Sequence, residues 1–76
     1  MNNYISENIR NLRRQKNVTQ EELAEYLNIS FQTISKWERG ENLPDINMLV
    51  ALANYFNVST DELLGMDKHK SDFFSY

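Results

Sequence analysis

Residues 18–40 read VTQEELAEYLNISFQTISKWERG, and most of the architecture can be read outward from them. The stretch opens on a hydroxyl residue, Thr19, with Glu22 three positions later. That spacing predicts a capping box: the threonine hydroxyl accepts from the Glu22 amide, and the glutamate accepts from the threonine amide. Val18 and Leu23 stand on either side as a hydrophobic staple. Leu23, Ala24 and Leu27 recur at helical spacing, so a helix runs on to Asn28, a residue that tolerates positive φ. Ser30 then starts a second helix as its N-cap, with Ile29 and Ile34 as the staple. Ile34 and Trp37, three apart, give this second helix a buried edge, and Gly40 stops it.

Only about three residues, Asn28-Ile29-Ser30, join the two helices. Helices linked so tightly must cross steeply, and the crossing needs a small residue, which Ala24 supplies. Leu23, Leu27, Ile29, Ile34 and Trp37 close the apolar wedge between them. These are the physical demands of a helix-turn-helix. With Ile34 and Trp37 inward, the second helix leaves Phe31, Gln32, Thr33, Ser35 and Lys36 outward. None is acidic, whereas an ordinary solvated face would be richer in glutamate. Glutamine can bond adenine at two points, lysine can reach guanine, and serine and threonine serve base or phosphate.

The rest of the chain frames this unit. Ile5, Ile9 and Leu12 recur at i, i+4 and i+7, predicting a first helix over residues 4–16 that Asn17 ends. Leu43-Pro44-Asp45 is a rigid connector, and Asp45 can cap a fourth helix whose apolar residues are Ile46, Leu49, Val50, Leu52, Ala53 and Phe56. Asn57 ends that one. Val58-Ser59-Thr60-Asp61-Glu62-Leu63 repeats the capping box and staple to start a fifth helix, which stops at Gly65. Few turn residues and no alternating apolar pattern argue against a sheet. The expected organisation is one all-α domain over residues 1–65, followed by a polar tail or the start of a linker over 66–76.

Composition excludes several function classes. The chain has 76 residues and no cysteine, so disulfides and thiolate-bound zinc are ruled out, and a reducing compartment, the cytoplasm, fits. The strictly apolar run from Met48 to Ala53 is far too short for a membrane span. The first residues show no basic region followed by an apolar stretch, so no signal peptide is read there. His69 has no partners at metal spacing, and no serine has a nearby base, so no metal, cofactor or enzyme is expected. Glu21, Glu22 and Glu25 read as a helix N-terminus complementing its dipole and a solvated face. Net charge is −3, unevenly spread: residues 1–40 hold six bases and five acids, and residues 41–76 hold two bases and six acids. A polyanion would meet the first part, with the acidic part turned away.

Thr19-Gln20-Glu21-Glu22-Leu23-Ala24, Gln32 to Gly40 and Leu43-Pro44-Asp45 together resemble the Cro/repressor (Xre-type) helix-turn-helix proteins of bacteria and their phages, over residues 5–65. The resemblance implies a compact five-helix, lambda-repressor-like domain that binds duplex DNA as a transcriptional regulator, in the sense of a repressor, with residues 31–39 as recognition helix. It implies that Gln20 contacts a phosphate, that Gln32, Thr33, Ser35 and Lys36 meet bases or backbone, and that Asn42 meets backbone. It also implies that Arg13 and Glu38 form an ion pair that holds the recognition helix. Arg39 and Arg10 are further candidates for DNA contact. Phe31 departs from the glutamine often found at its position. It either packs on a thymine methyl or folds against the preceding helix. The implied partner is an inverted-repeat operator bound by a homodimer, with the fifth helix and Phe73, Phe74 and Tyr76 as the expected dimer contact. A protein-interaction module on the same fold is the alternative.

Overall fold

The computed structural model describes residues 4–66. They form five α-helices: α1 (Tyr4–Lys16), α2 (Gln20–Leu27), α3 (Phe31–Glu38), α4 (Ile46–Phe56) and α5 (Thr60–Leu64). The aromatic residues near the C-terminus and His69 lie outside the described residues.

The helix ends follow a local code. Thr19 and Ser59 side chains each accept a hydrogen bond from the backbone N–H of the residue three on, and the Glu22 and Glu62 carboxylates accept one from the cap amide. Ser30 and Asp45 cap α3 and α4 in the same way, through Thr33 N and Met48 N. Three asparagines stand in the left-handed region, Asn17 at φ 63°, Asn28 at φ 59° and Asn57 at φ 58°. Each is followed by a branched apolar residue and a hydroxyl cap: Asn17-Val18-Thr19, Asn28-Ile29-Ser30 and Asn57-Val58-Ser59. One tripeptide thus stops a helix, staples the turn and starts the next helix. Gly65 ends α5 at φ 77°, and a Cβ there would lie 3.0 Å from the Tyr4 side chain. The glycine is needed both for its backbone conformation and for that close approach.

Each helix gives the core one aliphatic side chain with no exposed surface: Ile9, Leu23, Ile34, Leu52 and Leu63. Truncating such a residue to alanine costs about 2–5 kcal/mol, so no helix is dispensable. Trp37, Ala24 and Leu27 complete the cluster, and Ile5, Leu12 and Ile29 pack against it. The α1 helix rests on α3 and α5. Its Asn8 side chain donates to Leu63 O at 2.9 Å and to Glu62 O at 3.2 Å, tying the first helix to the last.

The apolar character of α4 does not map onto one buried face. Leu52 and Ala53 are buried, but Ile46 and Val50 are exposed. Apolar residues occur around much of this helix, so their periodicity alone could not select a face.

Candidate nucleic-acid interface

The α3 helix is held from behind by a cluster centred on Glu38. This residue is 5% exposed and carries a carboxylate, so burial must be offset by donors. Arg13 of α1 supplies two: Nε to Oε2 at 2.6 Å and Nη2 to Oε1 at 3.0 Å. Gln20, the first residue of α2, supplies a third from Nε2 to Oε1 at 3.1 Å. Arg13 also donates through Nη1 to Val18 O at 3.0 Å, and Arg10 donates through Nη1 to Glu38 O at 3.0 Å. The hydrogen bond to Glu38 raises the Arg13 pKa above its usual value against the opposing effect of burial. One glutamate therefore ties α1, α2 and the C-terminal end of α3 together.

The opposite side of α3 faces outward. Phe31, Gln32 and Lys36 are exposed, Thr33 and Ser35 are half-buried, and no acidic residue lies among them. Ser30 Oγ and Thr33 Oγ1 are 3.1 Å apart across the first turn. Phe31 borders a shallow hollow with Glu21, Ala24, Glu25 and Ile29, yet keeps 43% of its surface exposed. It stands at the rim between the two helices, open to a ligand over α3. Asn42 is exposed in the loop after α3, beside a hollow that Thr33 and Trp37 also line.

The helix is one residue shorter than the 31–39 span expected from sequence. Arg39 is its C-cap, and Gly40, at φ 75°, turns the chain. Gly40 N donates to Trp37 O and Glu41 N to Lys36 O, the paired bonds of a Schellman ending. This reversal sets Glu41 beside Arg39, with Nε to Oε2 at 2.6 Å and Nη2 to Oε1 at 3.2 Å. Arg39 Nη1 also contacts Ser35 Oγ. Hydrogen bonds from Arg39 hold the Glu41 carboxyl below its ordinary range, with the charges of Arg39 and Lys36 acting in the same direction and burial against them.

A helix with an acid-free outward face, packed on the helix before it and capped at both ends, is the geometry of a groove reader. A helix-turn-helix family model matches residues 9–63. The chain belongs to the Cro/repressor type of helix-turn-helix proteins. This is a family of DNA-binding transcriptional regulators, not of enzymes. The transcriptional activator BcrR of Enterococcus faecalis is 46% identical over 60 residues, covering 79% of this chain and 29% of BcrR. The regulator ImmR of Bacillus subtilis is 41% identical over 64 residues, covering 84% of this chain and 50% of ImmR. The helix-turn-helix chain thus spans half or less of the length of these relatives. A crystal structure of a transcriptional regulator from Listeria innocua superimposes with a TM-score of 0.74 at 37% identity, covering 78% of this chain and 55% of that one. No described helix is long and apolar enough to cross a membrane.

Three contacts of this helix-turn-helix domain escape a reading of the sequence. Gln20 and Arg10, expected at DNA, both bond to Glu38. Arg39, expected at DNA as well, is engaged by Glu41. Only the last had a possible signal, an acid two residues beyond the arginine across a helix-stopping glycine.

Proposed function

We propose that residues 1–65 bind duplex DNA sequence-specifically, with α3 in the major groove and α2 across the backbone. The observation that carries this is the acid-free outward face of α3, presented from a frame fixed by Glu38. Gln32 and Lys36 read base edges, while Thr33 and Ser35 serve base or phosphate. Phe31, open at the rim, meets a thymine methyl. Gln20 keeps a second amide proton beyond the one given to Glu38, and Arg10 keeps further guanidinium donors, so both can still reach phosphate. Asn42 and Arg39 lie where the backbone would pass. Arg13 and Glu38 position α3 without touching bases.

A single domain this small makes few base contacts. Two copies on half-sites about one helical turn apart would supply the rest, so the operator is an inverted repeat and the working form a homodimer in the cytoplasm. Occupancy of a promoter excludes polymerase, which makes repression the direct consequence. The test is selection from a random duplex pool at near-physiological salt, stated because phosphate contacts make affinity salt-dependent. A short inverted repeat is expected, and Lys36→Glu should abolish its capture without changing thermal unfolding. A recovered pool that stays random would overturn the reading.

A further inference from the structure

Gln32, Ser35, Lys36 and Arg39 follow one another at i, i+3, i+4 and i+7, so they form one row along α3 and its cap. Lys36 and Arg39 are the cations of that row. Arg39 does not present an unopposed charge. Arg39 turns Nε and Nη2 to Glu41 and Nη1 to Ser35, and the Lys36 charge acts on the same carboxylate. The paired cation is Arg39.

Folding does not account for this acid. The Glu41 side chain is 52% exposed, and its pair joins residues two apart at the surface, where ion pairs contribute little. The chain reversal is closed by backbone bonds from Gly40 N and Glu41 N, which any residue other than proline at position 41 would leave in place. The carboxylate is thus exposed beside α3, paired with Arg39.

Resting on the reading that α3 meets DNA, we propose that Glu41 is a specificity-determining residue: it withholds Arg39 from phosphates, so that sequence-blind attraction stays weak and base contacts decide where the protein remains. Sequence-blind binding draws on the cations a protein can place on phosphates. A phosphate reaching Arg39 must displace Glu41 and face its charge. In the specific complex the register is fixed by base contacts, and Arg39 stays on Glu41.

The test compares wild type with Glu41→Gln and Glu41→Ser on the selected duplex and on a scrambled duplex, by fluorescence anisotropy between 50 and 200 mM salt. Both variants should hold the scrambled duplex more tightly, by roughly fivefold at 0.15 M salt, with a log–log salt slope steeper by about 0.9, as one added phosphate contact requires. The selected duplex should gain less, so the specificity ratio falls. Adding Arg39→Gln should remove the gain. Unchanged scrambled affinity and slope would overturn the proposal. So would weaker selected binding with scrambled binding unchanged, because Glu41 would then be aligning Arg39 on a base. The DNA-reading function itself fails on wild type alone, through a lack of preference between the two duplexes. The role of Glu41 is read from the difference between wild type and variant on scrambled DNA.

Discussion

Two arginine–glutamate pairs flank α3, and both have an Nε–Oε2 distance of 2.6 Å. Equal length conceals unequal roles. In Arg13–Glu38 the side chains are 14% and 5% exposed, and the pair joins α1 to α3. In Arg39–Glu41 they are 53% and 52% exposed, and the pair spans a turn. Water screens the outer pair, whereas the inner one sits where the effective dielectric is lower and an unpaired charge is costly. The inner pair belongs to the fold. The outer pair belongs to the solvent-exposed surface, and its length says nothing about stability.

The comparison is tested most severely by removing one inner partner. Arg13→Met leaves the Glu38 carboxylate buried with Gln20 as its remaining side-chain donor, and should cost about 3 kcal/mol in urea unfolding, the lower end for a broken buried pair. A loss no larger than that of an outer-pair variant would refute the distinction. The double substitution Arg13→Met with Glu38→Leu removes both charges and should recover most of that loss. If it does not, the guanidinium contributes chiefly by packing. Gln20→Ala deletes one hydrogen bond to Glu38 and should cost about 1 kcal/mol. Glu41→Ala should leave the urea midpoint where it is. The smallest effect is a titration. Followed by NMR, the Glu41 carboxyl should titrate below its ordinary 4.5, and Arg39→Gln should bring it back up. A carboxyl with a depressed folded pKa stabilises above its unfolded pKa and loses that contribution as pH falls through the folded value. Whatever the outer pair contributes thus disappears only in acid.

The five helices were legible because their boundaries are written locally. Thr19 with Glu22, Ser59 with Glu62, and the asparagines before them act over three or four residues, a range that a sequence displays directly. The outward side of α3 was legible for the same reason, once Ile34 and Trp37 were taken as its inner edge. The convergence on Glu38 was less so. Gln20 lies 18 residues from Glu38 and Arg10 lies 28 residues from it, and no spacing rule connects them. Both side chains are long and polar, equally suited to a phosphate or a neighbouring helix. The outward turn of Ile46 and Val50 was hidden differently, since a helix apolar on several sides offers no contrast.

The repeated asparagine–branched–hydroxyl joints also bear on how quickly this chain finds its structure. Three of its helix boundaries can form from neighbouring residues before any distant contact exists. What remains is docking of preset helices, including the long closure of Asn8 on Leu63, 55 residues apart. Closure entropy grows only logarithmically with loop length, so this step slows the search modestly. Refolding should be a single phase on the order of microseconds to milliseconds. Substitutions in the joints would then act mainly on the folding rate, and loss of the Asn8 contact mainly on the rate of unfolding.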